Sequence, residues 1–139
     1  MGAWGAGTFD NDDAADWAYE LMGAADLTPA REALAATMDS DDWLEIPEGA
    51  RAVAAAAAVA ASFDGDVRGL PEEVAEWLEY HPDASTLADA RLAIDALERV
   101  ASVDSELREV WLEAANGPAW IDEIARLAYR LTRVVGDTL

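Results

Sequence analysis

The sequence predicts an all-α fold: one domain of six or seven helices packed as an irregular bundle, behind an ordered glycine- and tryptophan-containing N-terminal loop. Three observations carry that prediction. Apolar residues recur at three- and four-residue steps, and no segment longer than a few residues alternates with a strand period. The stretch from Ala52 to Phe63 is mostly alanine, the strongest helix former. Proline, glycine and short polar residues stand where helices should start and stop. With 139 residues the chain fits one domain, 1–139, whose core needs no disulfide or metal to hold it.

Residues 1–9 are glycine-rich and aromatic, without helical period, and read as a loop pinned by Trp4 and Phe9. A first helix is expected from Asp10 or Asn11, both good caps, to near Gly23, with Ala14, Trp17, Ala18 and Leu21 inward. A second starts with Thr28 as cap and Pro29 behind it, turns Leu34 and Met38 inward, and ends at the acidic run Asp39 to Asp42. Trp43, Leu44 and Ile46 read as a short apolar connector, extended in form, and Pro47 as a turn. The third helix, about Glu48 to Ser62, is nearly all alanine. Neighbours can approach it closely, which places it at the centre. A fourth starts at Pro71, buries Val74, Trp77 and Leu78, and breaks at His81-Pro82-Asp83. The fifth runs from about Ser85 to Ala101 on Leu87, Ala90, Ile94, Leu97 and Ala101. A sixth, about Asp104 to Ala115, turns Leu107, Val110, Trp111 and Ala114 inward before the stop Asn116-Gly117-Pro118. The seventh, about Ala119 to Val134, buries Trp120, Ile124, Leu127, Leu131 and Val134.

Charge is the most unusual feature. Against 29 acids stand 9 basic residues, all arginine, for a formal net charge of -20. A GC-rich coding sequence and a salt-rich cytoplasm both push composition this way. So would a basic protein partner drawn in by the field. Direct nucleic-acid binding is not expected, because phosphate contacts need a basic face. No membrane association is expected either: the longest charge-free apolar run is too short to span a bilayer, and no basic region precedes an apolar stretch near the N-terminus. The expected location is the cytoplasm.

The opening Gly2-x-Trp4-Gly5-x-Gly7-x-Phe9-Asp10-Asn11-Asp12-x-Ala14-x-Asp16-Trp17 resembles that of a bacterial family of small proteins, the domain-of-unknown-function 4259 family. The alanine-rich helix after Ile46-Pro47, and Ser105-Glu106-Leu107 leading to Trp111, look similar too. The resemblance implies no activity. It marks the N-terminal motif as the family's hallmark, either structural or functional. In the structural reading Trp4 and Phe9 bury against the first and seventh helices, Asn11 or Asp10 caps, and Asp12, Asp13 and Asp16 meet the helix dipole or Arg126, Arg130 and Arg133. In the functional reading the loop and acids form a binding surface from Trp4, Phe9, Asp10, Asn11, Asp12 and Asp16, with Arg126 and Arg130 beside it.

Reactive chemistry finds little support. With no cysteine there is no thiolate site of any kind. The glycines before the first helix lack the Lys-Ser/Thr of a phosphate loop, and Asp fills the helix start. Counted as calcium loops, Asp10 leads to Ala14 and Ala15 at the fifth and sixth places, and Asp64 to Arg68 at the fifth; both fail. A di-metal bundle needs Glu-x-x-His pairs, and Leu78 stands three before the single histidine. His81-Pro82-Asp83 between helices is similar to the J-domain co-chaperone motif, but the helix before it carries Glu72, Glu73, Glu76 and Glu79 where that family has basic residues. Neither a metal, nor a cofactor, nor a catalytic set is expected.

The leading expectation is an acidic protein-binding module, immunity-like or regulatory, docking on a basic protein partner. It resembles in style the immunity proteins that block basic nuclease toxins, without a residue match. The alternative is a small-ligand binder or enzyme with a pocket between the N-terminal loop and the C-terminal helix, holding Trp4, Trp17 or Trp120 near His81 or arginines. A homodimer, with some of the six tryptophans at its interface, is a third.

Overall fold

The computed structural model describes residues 7–39 and 42–138. Seven helices follow in order: α1 Asp12–Met22, α2 Thr28–Met38, α3 Ile46–Asp64, α4 Glu72–Tyr80, α5 Leu87–Val100, α6 Glu106–Glu113 and α7 Gly117–Thr138. Among the described residues there is no strand, only an isolated parallel bridge between Leu44 and Ser105.

α3 is the hub and packs against each of the other six helices. Its alanines from Ala52 to Ala58, with Ala60 and Ala61, are buried on every side, because a methyl group lets a neighbouring helix come close all round. Proline opens this helix rather than a turn: Pro47 lies in its first turn, where a missing N–H costs nothing. Gly65, at φ 73°, ends it in a left-handed conformation that suits glycine.

Local signals fix most other ends. Asn11 caps α1 through its side chain, which accepts the Ala14 N–H at 2.8 Å, and Asp12 and Asp13 follow in the first turn. Thr86 and Asp89 form a capping box on α5. Thr28 does not cap α2; it is the first helical residue, and the Asp26 carboxylate accepts its N–H at 2.9 Å. Gly117 and Pro118 form the first turn of α7 instead of preceding it.

The inward residues expected for α1, α4 and α7 are buried, save Val134, which is half-buried. Elsewhere the seam shifts. Met38 is 42% exposed, while Thr37 takes the interior place and donates its hydroxyl to the Leu34 carbonyl at 2.7 Å. On α5 the buried seam is Ala90, Ala93, Leu97 and Val100, which leaves Leu87 and Ile94 half-buried and Ala101 exposed. On α6 only Leu107 is buried; the helix is eight residues long and packs mainly on α3 and α7, so Val110, Trp111 and Ala114 are half-covered.

Two polar clusters lock the bundle. Leu44 donates its N–H to Asp104 at 2.8 Å and accepts the Glu106 N–H at 2.9 Å, so the connector is extended as expected. Arg99 clamps the same place, donating to the Asp42 and Asp104 carbonyls. Across the bundle, Arg31 holds buried Asp89 at 2.9 Å and 3.1 Å and also donates to the Ala84 carbonyl. Burial pushes the Asp89 carboxyl up, but the Arg31 guanidinium and Thr86 N–H outweigh it and hold it below its ordinary value.

Candidate functional site

The loop before α1 is tightly built. Asp10 donates its N–H to the Gly7 carbonyl at 3.1 Å, and its carboxylate accepts the Gly7 N–H at 3.1 Å. A Cβ at Gly7 would stand 2.7 Å from that carboxylate, so the turn favours glycine. Phe9 is buried, its ring 6.5 Å from that of Trp17. Thr8 donates its hydroxyl to Glu123 at 3.2 Å, which ties the loop to α7.

Between this loop and α7 lies a cleft of about 390 Å³. Ala57 and Leu70 contribute apolar surface, and Arg68, Arg126 and Arg130 line it. Every one of these guanidinium groups already has a carboxylate. Arg130 forks onto Asp64 at 2.7 Å and 2.8 Å and donates to the Asp66 carbonyl at 2.9 Å. Arg126 binds Glu123 at 2.7 Å, and Arg68 binds Asp66 at 2.8 Å. Burial pushes the Asp64 carboxyl up, but Arg130 and the Asp66 N–H hold it below its ordinary value. Asp66 is held well below by Arg68.

Of the residues expected here, Phe9, Asp10, Arg126 and Arg130 do meet at this cleft. Trp4 lies outside the described residues. Asn11 does not line the cleft and is occupied as the α1 cap. Asp12, Asp13 and Asp16 pair with no arginine among the described residues; the expected partners Arg126 and Arg130 hold Glu123 and Asp64 instead, and Arg133 stands 6.0 Å over the Tyr129 ring. Trp17 and Trp120 are buried in the core and do not line the cleft. His81 is elsewhere: its ring stacks on Trp77 at 3.9 Å, and Nδ1 lies 2.7 Å from the Trp77 carbonyl, to which it donates. Arg68 and Glu123 also line the cleft, while Asp64 and Asp66 hold its arginines without lining it. The only sequence signal for them was the Asp64-Gly65-Asp66 turn.

A second concavity, about 660 Å³, runs between the end of α3 and α4. Ala61, Ala75 and Leu78 give it an apolar floor, and Glu72, Glu76 and Glu79 stand along it. None of these three carboxylates has an ion pair or hydrogen bond among the described residues. Tyr80, 74% exposed, lines it too.

The family model described as Domain of unknown function (DUF4259) matches residues 2–123. The chain belongs to this family. No curated protein and no solved structure matches it. The span matched by the DUF4259 model takes in the Gly7–Asp10 turn, both α3 and α4, and Glu123, while Arg126 and Arg130 lie beyond it. The family description names no activity.

Among the described residues no three acidic or histidine side chains gather as metal ligands, and no helix is long and apolar enough to cross a membrane.

Proposed function

We propose that this DUF4259 protein is an acidic protein-binding module, immunity-like or regulatory, that docks on a basic protein partner in a bacterial cytoplasm. One observation carries the reading: the carboxylates of α4 are exposed and have no ion pair among the described residues, in a chain with a net charge of -20. Such a field raises the encounter rate with cationic proteins and repels anionic ones. No reaction is assigned, and direct nucleic-acid binding is opposed by the same field.

The test is capture of partners from the protein's own cell lysate at low salt, followed by a salt gradient. The expected result is one basic protein in stoichiometric amount, released at a sharp step and re-forming the complex when purified. Scattered basic proteins released early would sink the reading, because a non-specific field gives no single release step.

A second reading, a small-ligand site in the cleft beside α7, rests on three of the nine arginines lining one cavity. An anion there must displace Asp64, Asp66 or Glu123 from its guanidinium. Inorganic phosphate that raises the melting temperature of the native protein, and fails to do so in Arg126→Ala, supports it; no shift removes it.

A further inference from the structure

We infer that the groove between the end of α3 and α4 is the docking site, and that its occupant is a short basic amphipathic segment of the partner protein. This rests on the protein-binding reading above and adds to it a place and a chemistry.

The argument begins with spacing. Glu72, Glu76 and Glu79 follow one another at steps of four and three, so they form a row along one side of α4. Neighbours in such a row repel each other. The helix dipole offsets this at the first turn, at Glu72, and not at Glu79 in the last turn. Among the described residues no arginine lines the groove. The nearest in sequence, Arg68, holds Asp66. The row is therefore electrostatically unsatisfied within the described chain, and cations from outside would satisfy it.

The groove is more than a charged strip. The apolar floor lies directly beside the carboxylates, and the exposed Tyr80 ring stands where they end. An apolar side chain fits the floor, its basic neighbours reach the carboxylates, and a guanidinium or ammonium can lie over the tyrosine face. A bare polycation would use the acids and leave the floor wet. A metal ion would need ligands that converge, and among the described residues none do. α4 is nine residues long, about 13 Å, so the segment it can engage is short. A contact of that size makes a weak, salt-sensitive complex on its own.

The probe is a synthetic peptide with arginines on one face and leucines on the other, capped at both ends and titrated into the full chain at low salt. Backbone amide shifts should concentrate between residues 61 and 82. The triple variant Glu72→Gln, Glu76→Gln, Glu79→Gln should raise the dissociation constant about tenfold. Asp12→Asn, Asp13→Asn, Asp16→Asn, an equal charge change on α1, should raise it by less than about twofold. Replacing the peptide's leucines by serine should weaken binding as much as the glutamine triple does. Tryptophan near-ultraviolet dichroism checks that each variant is folded. Equal weakening by both triples overturns the groove while leaving the protein-binding reading intact, since charge then acts from the whole surface. A serine peptide that binds as well as the leucine one also overturns it. If the native chain ignores the leucine peptide, the groove falls, and the wider reading still stands or falls on the lysate capture.

Discussion

In the cleft beside α7, Arg68, Arg126 and Arg130 reach carboxylates at 2.8, 2.7 and 2.7 Å. In the groove beside α4, Glu72, Glu76 and Glu79 reach nothing among the described residues. Both concavities touch α3, the first at Ala57 and the second at Ala61 and Ser62, and they use charge for different purposes. In the first, a cation joins parts of the chain far apart in sequence: Arg130 ties the middle of α7 to the α3–α4 loop. In the second, the acids join nothing, so removing them should not loosen the fold. A volume alone would rank both as sites. The pairing separates a place that holds the protein together from one that is free to hold something else.

The sharpest way to break that contrast is to delete Arg130. Its side chain is only 11% exposed, and it makes three charge-assisted hydrogen bonds. Arg130→Ala should lower unfolding free energy by about 2–3 kcal/mol, read from urea denaturation, because Asp64 loses its fork partner. Arg68→Ala, at an 87% exposed side chain, should leave it nearly unchanged, because solvent screens that pair. Equal losses would show that the cleft does not hold the fold through Arg130.

Acid should separate the two regions next. Asp64 and Asp89 both titrate below 3.8, their ordinary value. A carboxyl lowered on folding contributes stability that is complete above its unfolded value. That contribution is lost as pH falls through the folded one. The α4 carboxylates have no such partners. Stability should therefore fall as the pH drops below about 4. Asp64→Asn should flatten that loss, because one of the two lowered carboxyls is gone. An acid limb that is unchanged in Asp64→Asn would show that the fork to Arg130 does not hold the fold.

How far this was visible in the sequence follows the range of each interaction. Caps are local chemistry: Asn11 was one of two offered, with Asp10, and Thr28 missed by one place, since it is the first residue of α2 and Pro29 follows it. The centrality of α3 read correctly because an alanine run has only one good use in a bundle. Pro47 and Pro118 were misplaced, since proline serves a turn and a helix start equally well. The meeting of loop and α7 was legible from Phe9 and the arginine stripe, but the arginines' partners were not. With 29 acids available, spacing cannot choose Asp64 over Asp12 for Arg130; only the docking of α7 on α3 does. The groove had no local signature. The glutamates of α4 were plain in the sequence, yet the floor beside them exists only once α3 and α4 have packed.

The smallest stability effect tests the other half of the contrast. The variant Glu72→Gln, Glu76→Gln, Glu79→Gln removes three charges from exposed side chains that hold no partner among the described residues. Two opposing contributions then remain. Losing Glu72 from the first turn of α4 removes a favourable dipole contact of about 0.3–1 kcal/mol. Ending the repulsion along the row returns about 0.2–0.5 kcal/mol per neighbouring pair. The sum should fall within about 0.5 kcal/mol of the native protein by urea denaturation. A loss beyond about 1 kcal/mol would mean that the acids hold structure after all. With stability unchanged, any loss of binding to the basic peptide belongs to the groove surface itself, because the floor, the helix and Tyr80 are all still in place.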